Sequence, residues 1–376
     1  MSEEPQPVDP REAFRVVPPP DTAEGRSVAA SQAALLLAAR DGLLGLSERE
    51  EADLVEQTRD VPFDFPPLRP LERTHRLRVA EATRPLELSR AELRTEPAGR
   101  VQEAMAVAVD RLYAEPEPVQ AAALFEAGMH SPDPLVRVAA AAGARESTRW
   151  RAEIAQILHE GIESPDPLVA ALARVVTAQV RRDDDVLRRH LAPTPEPEPR
   201  DRRSRTAVLT HGTWGSDQAW YQPGGDFYEA LETHRPDLHV HDRSYRWSGG
   251  YSDAARRSAA RRLVGWVADE GLAVPDLFAH SHGGTVAHLA THDGAAFDRL
   301  VLLAWPVHPQ WYPDPAKVGR LVDVRVHLDL VIMADRGGQR LRDAPLPVEE
   351  HVNGWFDHIA VHRPEYWDRH ELWHVV

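Results

Sequence analysis

Ala279-His280-Ser281-His282-Gly283-Gly284 is the stretch on which the reading of this chain turns. A short apolar run (Val274, Leu277, Phe278) leads into it, and a helix-like run (Thr285, Val286, Ala287, Leu289, Ala290) leads out. A serine on a sharp strand-to-helix turn, with small residues two places before and after it, forms a nucleophile elbow. The small flanks matter because a turn that tight leaves no room for side chains beside the nucleophile. Here they are Ala279 and Gly283, which makes Ser281 the candidate nucleophile.

Around this stretch the second half of the chain alternates strand and helix patterns. Strands are expected at Thr206 to Thr210, Leu238 to Tyr245, Pro275 to His280, Arg299 to Ala304, Val324 to Leu328 and Pro347 to Val352. Helices are expected at Trp220 to Thr233, Ser252 to Asp269, Gly283 to Thr291 and from about Pro364. Such alternation predicts an α/β domain over residues 205–376, a mostly parallel sheet with helices on both faces.

The first half reads differently. Ser131-Pro132-Asp133-Pro134-Leu135-Val136 recurs as Ser164-Pro165-Asp166-Pro167-Leu168-Val169, between Ala-rich stretches. Asp133 and Asp166 suit helix N-caps, and Pro134 and Pro167 suit the first helical turn. Leu135, Val138 and Ala139, then Leu168, Ala171 and Leu172, follow the spacing of a buried helix face. The expectation is an all-α helical-repeat domain over residues 26–190, with Ser27 to about Gln57 as one helix and 58–98 unassigned. Residues 1–25, acidic and Pro-rich, read as disordered. The Pro/Glu alternation of residues 191–204 reads as a stiff linker.

The 376 residues suffice for two cores. A formal charge of −15 argues against nucleic acid, whose phosphates need a concentrated basic surface. With no cysteine, disulfides, thiolate metal sites and cysteine nucleophiles are excluded. No run of about 18 apolar residues spans a membrane, and the N-terminus lacks the order of a signal peptide. The expected location is the cytoplasm.

A serine hydroxyl is a weak nucleophile at neutral pH. It needs an imidazole to take its proton, a carboxylate to orient the imidazole, and N–H donors for the oxyanion. Val208-Leu209-Thr210-His211-Gly212-Thr213-Trp214 is a strand running into a loop that suits the last role. The candidate oxyanion donors are Thr213 and the residue after the nucleophile, His282. His211, Gly212 and Trp214 are candidate substrate-binding residues, with Gly212 allowing close backbone approach.

Residues of about 206–372 resemble the α/β-hydrolase superfamily, in its lipase-like and esterase-like bacterial members. The resemblance rests on His211-Gly212-Thr213-Trp214 with Trp220 and Phe227, on Arg246-Trp247-Ser248-Gly249 before a helix bearing Arg256, on His280-Ser281-His282-Gly283-Gly284, and on His358 to His362 with Pro364 and Trp367. It implies a triad in the order Ser, Asp, His. Asp329, after the alternating Val324-Arg325-Val326-His327-Leu328, is the expected acid, with Asp335 as runner-up; Asp323 lies at the wrong end of that strand. By resemblance His358 is the base and His362 the second choice. Residues of about 100–182 resemble HEAT-like helical repeats.

Other groupings read as structural. His280 and His282, and His239 and His241, could suggest metal pairs, but packing and hydrogen bonding are the expectation, with no metal and no cofactor. Arg256, Arg257, Arg261 and Arg262 read as a solvated helix face, with a minor reading in which Arg246 or Arg256 holds the architecture of the active site. The expected function is a serine hydrolase cleaving a small-molecule carboxylic ester through an acyl-enzyme, its helical half serving partner binding or self-association. The alternative is an interaction scaffold carrying a weakly active or inactive hydrolase fold.

Overall fold

The computed structural model describes residues 4–19, 22–44, 58, 61–66, 98–145, 151–181, 184–191 and 206–376. Two compact units are present. The first comprises Met1–Val180, His327–Arg336 and Gly354–Asp357; the second comprises Arg181–Val326, Gly337–Asn353 and His358–Val376. No helix among the described residues is long and apolar enough to cross a membrane.

In the first unit the helices are α1 (Pro10–Ala13), α2 (Ala23–Leu44), α3 (Ala98–Ala114), α4 (Pro118–Gly128), α5 (Pro134–Ala144), α6 (Arg151–Ile162) and α7 (Pro167–Val180). The duplicated sequence turn is duplicated in structure. Asp133 accepts from the N–H groups of Leu135 (2.8 Å) and Val136 (3.2 Å). Asp166 accepts from Leu168 (2.8 Å) and Val169 (3.3 Å). Each thereby satisfies donors that the first helical turn leaves without intrahelical partners. The helices that follow bury Leu135, Val138 and Ala139 as expected; in the second, Leu172 is buried but Leu168 and Ala171 are half-buried, and Ala173 takes a core position instead. Consecutive helices pack on one another, α4 on α5, α5 on α6 and α6 on α7.

Residues 1–25 were expected to be disordered, yet α1 lies among them. Asp9 caps it, Phe14 is fully buried, and Ser27 and Ser31 accept from the N–H groups of Gln6 and Val8 at 2.9 Å. Those hydrogen bonds and one buried ring outweigh the Pro-rich composition. The expected helix from Ser27 begins at Ala23 and runs to Leu44; its continuation to Gln57, most of 58–98, and the linker after Leu191 lie outside the described residues.

The second unit holds α8 (Asp185–Arg188), β1 (Thr206–Thr210), α9 (Asp226–His234), β2 (His239–Val240), α10 (Asp253–Asp269), β3 (Asp276–His280), α11 (His282–His292), β4 (Phe297–Leu303), nearly all of β5 (Val318–His327), most of β6 (Val348–Trp355) and α13 (Pro364–Arg369). The sheet order is β2-β1-β3-β4-β5-β6, parallel throughout. β1 and β3 are buried along their whole length, and each carries a continuous apolar centre, Ala207 to Leu209 and Leu277 to Ala279, between polar ends. Alternation along β3 serves two layers. Leu277 and Ala279 join a core with Leu263, Val286, Ala290 and Trp305. Phe278 packs on the other side against Phe227, whose ring also meets Trp367 at 5.2 Å.

β5 begins earlier than the sequence suggests. Asp323, expected before the strand, lies inside it, fully buried, and Arg325 Nη2 donates to it at 2.8 Å. Positions i and i+2 share a strand face, so the two charges neutralise each other where water is excluded.

The domain division also departs from the expected single block over 205–376, because residues 327–336 and 354–357 group with the helices. The short helix α12 (Leu330–Asp335) explains this. Arg40 Nη2 donates to Met333 O at 2.8 Å and Arg40 Nη1 to Ala334 O at 3.2 Å, while Gln179 Nε2 donates to Ala334 O at 2.6 Å.

Close packing of α4 on α5 yields a test. A Cβ on Gly143 would fall 2.3 Å from Phe125 Cε1. Gly143→Ala gains about 1 kcal/mol of helix propensity but overpacks a buried ring at a cost of about 1–3 kcal/mol. The overpacking wins, so urea denaturation is expected to show net destabilisation; a stabilised variant would contradict the contact.

Candidate active site

A serine between a strand and a helix must turn the chain sharply, and the backbone shows the cost. Ser281 has φ 51° and ψ −132°, a region that L-residues rarely occupy. Its N–H donates to Leu303 O at 2.8 Å, extending the ladder between β3 and β4. Its carbonyl accepts from Gly284 N–H at 2.9 Å, which starts α11. The strained residue is thus pinned on both sides, at the carboxyl end of a central strand.

The neighbouring strand brings the loop after β1 against it. A Cβ on Gly212 would lie 2.7 Å from Ser281 Cβ and 3.1 Å from His280 O, and one on Gly283 would lie 2.6 Å from His211 O. Both positions therefore require glycine for the approach itself. In the sheet β1 leads to β2 on one side and neighbours β3 on the other, so the two loops meet at a topological switch point, where open α/β sheets bind ligands.

His211 was expected among the substrate-binding residues, and the structure gives its ring other partners. It is fully buried; Nδ1–H donates to Gly212 O at 2.6 Å and Nε2 accepts from Trp247 N–H at 3.2 Å. Both nitrogens are occupied by backbone. The bond to Gly212 O has a consequence for the next residue. In a planar trans peptide, fixing the Gly212 carbonyl points the Thr213 N–H the opposite way. Thr213 also carries a buried Oγ1 with no hydrogen-bond partner among the described residues. Trp214 is 4% exposed, donates its N–H to Gly249 O at 3.0 Å, and stacks on Tyr251 with centroids 5.5 Å apart.

His282 opens α11, so its backbone N–H belongs to the turn that has no acceptor within the helix. Its imidazole accepts at Nε2 from Arg256 Nη2 (2.9 Å) and donates from Nδ1 to Thr285 Oγ1 (3.2 Å). Arg256 is 6% exposed, so this member of the arginine face is buried at the elbow. Arg246 Nη2 donates to Ser216 O at 2.9 Å, in the loop after Trp214.

His358 is buried in the segment after β6. Its carbonyl accepts from His280 Nε2–H at 3.3 Å, and the two rings lie 4.8 Å apart. His362 is buried with no hydrogen-bond partner for either ring nitrogen among the described residues; it stacks on Trp220 at 4.4 Å. Burial pushes its pKa down to about 3, helped by Arg363. An imidazole that resists a proton so strongly makes a poor general base at neutral pH.

Asp329 lies in the first unit, two residues past β5. It is fully buried and N-caps α12, with Oδ1 accepting from Val331 N–H (2.9 Å) and Ile332 N–H (3.0 Å). Asp335, the runner-up, closes the same helix.

No protein-family model matches the chain, and no curated protein matches it.

Three buried histidines set an acid limit on stability. Burial lowers the pKa of His211 to about 4 and those of His288 and His362 to about 3. In the unfolded chain each takes a proton near pH 6.5. Below that value, down to about 3 to 4, the unfolded state binds more protons. Stability is therefore full above pH 6.5 and falls with pH by up to about 1.4 kcal/mol per pH unit per histidine. The urea midpoint is expected to be lower at pH 5 than at pH 7.5, and His288→Leu should flatten the slope. A slope unchanged by that substitution would refute the assignment.

Proposed function

We propose that the chain is a serine hydrolase of the α/β-hydrolase type that cleaves a carboxylic ester through an acyl-enzyme on Ser281. The observation that carries the reading is the strained Ser281 backbone at the end of β3, with Gly212 packed directly against it. Strain of about 1–3 kcal/mol in a buried, non-glycine residue persists where its surroundings over-determine it, and such residues cluster at active sites.

In this reading His358 takes the Ser281 Oγ proton as the Oγ–carbon bond forms. The oxyanion receives the backbone N–H groups of Thr213 and His282. Collapse breaks the ester C–O bond, and the proton passes from His358 to the departing alcohol. Water then enters by the same route, with His358 as base, and releases the acid. Asp329 is assigned the acid that orients His358, because it follows β5 and its carboxylate is held rigidly by the α12 cap. The low pKa of His362 favours His358 over it. The helical residues are read as HEAT-like repeats that serve partner binding or self-association.

A fluorophosphonate probe is expected to label the wild type and not Ser281→Ala. With p-nitrophenyl esters of graded acyl length, Ser281→Ala and His358→Ala should each lower kcat by about 10⁵–10⁶. His362→Phe should cost less than about tenfold, since the ring would still stack on Trp220. Labelling that survives Ser281→Ala sinks the nucleophile assignment, and a wild type inert to probe and esters favours an interaction scaffold. Gly212→Ala should abolish labelling because its methyl would overlap Ser281 Cβ; full labelling would refute the close approach.

A further inference from the structure

A buried imidazole with a single well-placed proton can hold two chain segments in register, and His280 sits where such a bond would matter. It is the last residue of β3, next to Ser281, and is 4% exposed. Its Nε2 faces a backbone carbonyl, which can only accept, so the proton lies on Nε2 and His280 donates to His358 O at 3.3 Å. That leaves Nδ1 bare, and a Cβ on Gly212 would lie 3.3 Å from it. One ring therefore touches the segment that bears the proposed base and the loop that bears a proposed oxyanion donor, from the residue adjoining the proposed nucleophile. Its remaining sides are closed by His362, edge-on at 4.7 Å, and by Trp220 at 5.7 Å. Burial, reinforced by His362 and His358, holds its pKa well below 6.5, so it stays neutral and keeps this single-proton form.

We propose that His280 is a positioning residue for the base: its Nε2–H holds the His358 carbonyl and so fixes where the His358 imidazole stands relative to Ser281. The inference rests on the hydrolase reading above. His280 transfers no proton in the reaction. It acts by removing freedom from the residue that does. A base displaced by about 1 Å costs about 100-fold in rate, with little effect on substrate binding.

The test compares His280→Gln with His280→Phe. The glutamine amide nitrogen can occupy the place of Nε2 and donate; phenylalanine fills the space and cannot. For an ester substrate, His280→Phe is expected to lower kcat about 10–100-fold with KM within about twofold of wild type. The rate of fluorophosphonate labelling should fall by the same factor. His280→Gln should stay within about threefold of wild type in both. Should the phenylalanine variant fail to fold, His280→Asn replaces it, because its amide reaches the place of Nδ1 and not of Nε2. It should lose rate where glutamine keeps it. Wild-type kcat in His280→Phe, or equal rates in the Gln and Asn variants, would overturn the proposal. So would an equal loss in Gln and Phe that tracks their thermal midpoints, since packing alone would then explain it. A wild type that is neither labelled nor hydrolytic fails at the earlier step and overturns the hydrolase reading itself.

Discussion

The strained turn at Ser281 governs the arrangement around it. A residue at φ 51° and ψ −132° holds that conformation only if both of its peptide groups are engaged. Leu303 O takes the N–H, and Gly284 N–H takes the carbonyl. The first bond extends the ladder of a central, fully buried strand, and the second opens a buried helix, so the strain is balanced by two elements that form cooperatively. Bringing the neighbouring loop up to such a turn then leaves no space for a Cβ at Gly212 or Gly283. Two glycines and one strained serine are thus a single constraint, not three separate features.

The part of that constraint around Ser281 was legible because it is local. Ala279, Ser281 and Gly283 sit within five residues, and the apolar strand and helix on either side have unambiguous periods. β1, α10 and β3 lie within a residue of their expected bounds for the same reason: fully buried parallel strands and a Ser252-capped helix write their pattern directly into the chain. Elements that depend on distant partners were not legible. The expected strand from Leu238 to Tyr245 survives only as His239–Val240. Residues 241 and 245 still donate to Ala207 O and Leu209 O, but Asp242 to Ser244 loop out between them. The start of β5 was hidden by Asp323, whose burial becomes affordable only through Arg325. Whether an ionisable residue marks a strand end or a neutralised interior pair depends on the geometry around it, which composition does not convey.

The histidines show the same division. Their number around the elbow is plain in the sequence, and their roles are not. His211, His280 and His282 each have a definite tautomer set by what faces them: a carbonyl for Nδ1 of His211, a carbonyl for Nε2 of His280, and a guanidinium for Nε2 of His282. Each holds a different segment to the turn. His211 orients the peptide that ends in the Thr213 N–H, His280 reaches the His358 segment, and His282 ties the helix start to Arg256. Burying the His211 and His280 imidazoles lowers their pKa values, so their burial costs stability as the pH falls below the range where histidines ordinarily titrate. Rigid bracing of the turn and tolerance of acid are therefore opposed in this molecule.

The segment carrying Asp329 follows from helix energetics. A six-residue helix such as α12 has too few internal hydrogen bonds to offset the entropy of forming them. All six of its residues are buried, and both ends are closed from outside the helix. Asp329 Oδ1 accepts from the first turn, and Arg40 and Gln179 donate to the last carbonyls. Helix order and carboxylate orientation are consequently one equilibrium: releasing the far end frays α12 and frees the side chain that caps it. This gives Arg40 and Gln179 a local task in holding α12. Arg40 and Gln179 close the far end of α12, and Asp329 closes its start, so a helix too short to stand alone is held from both ends.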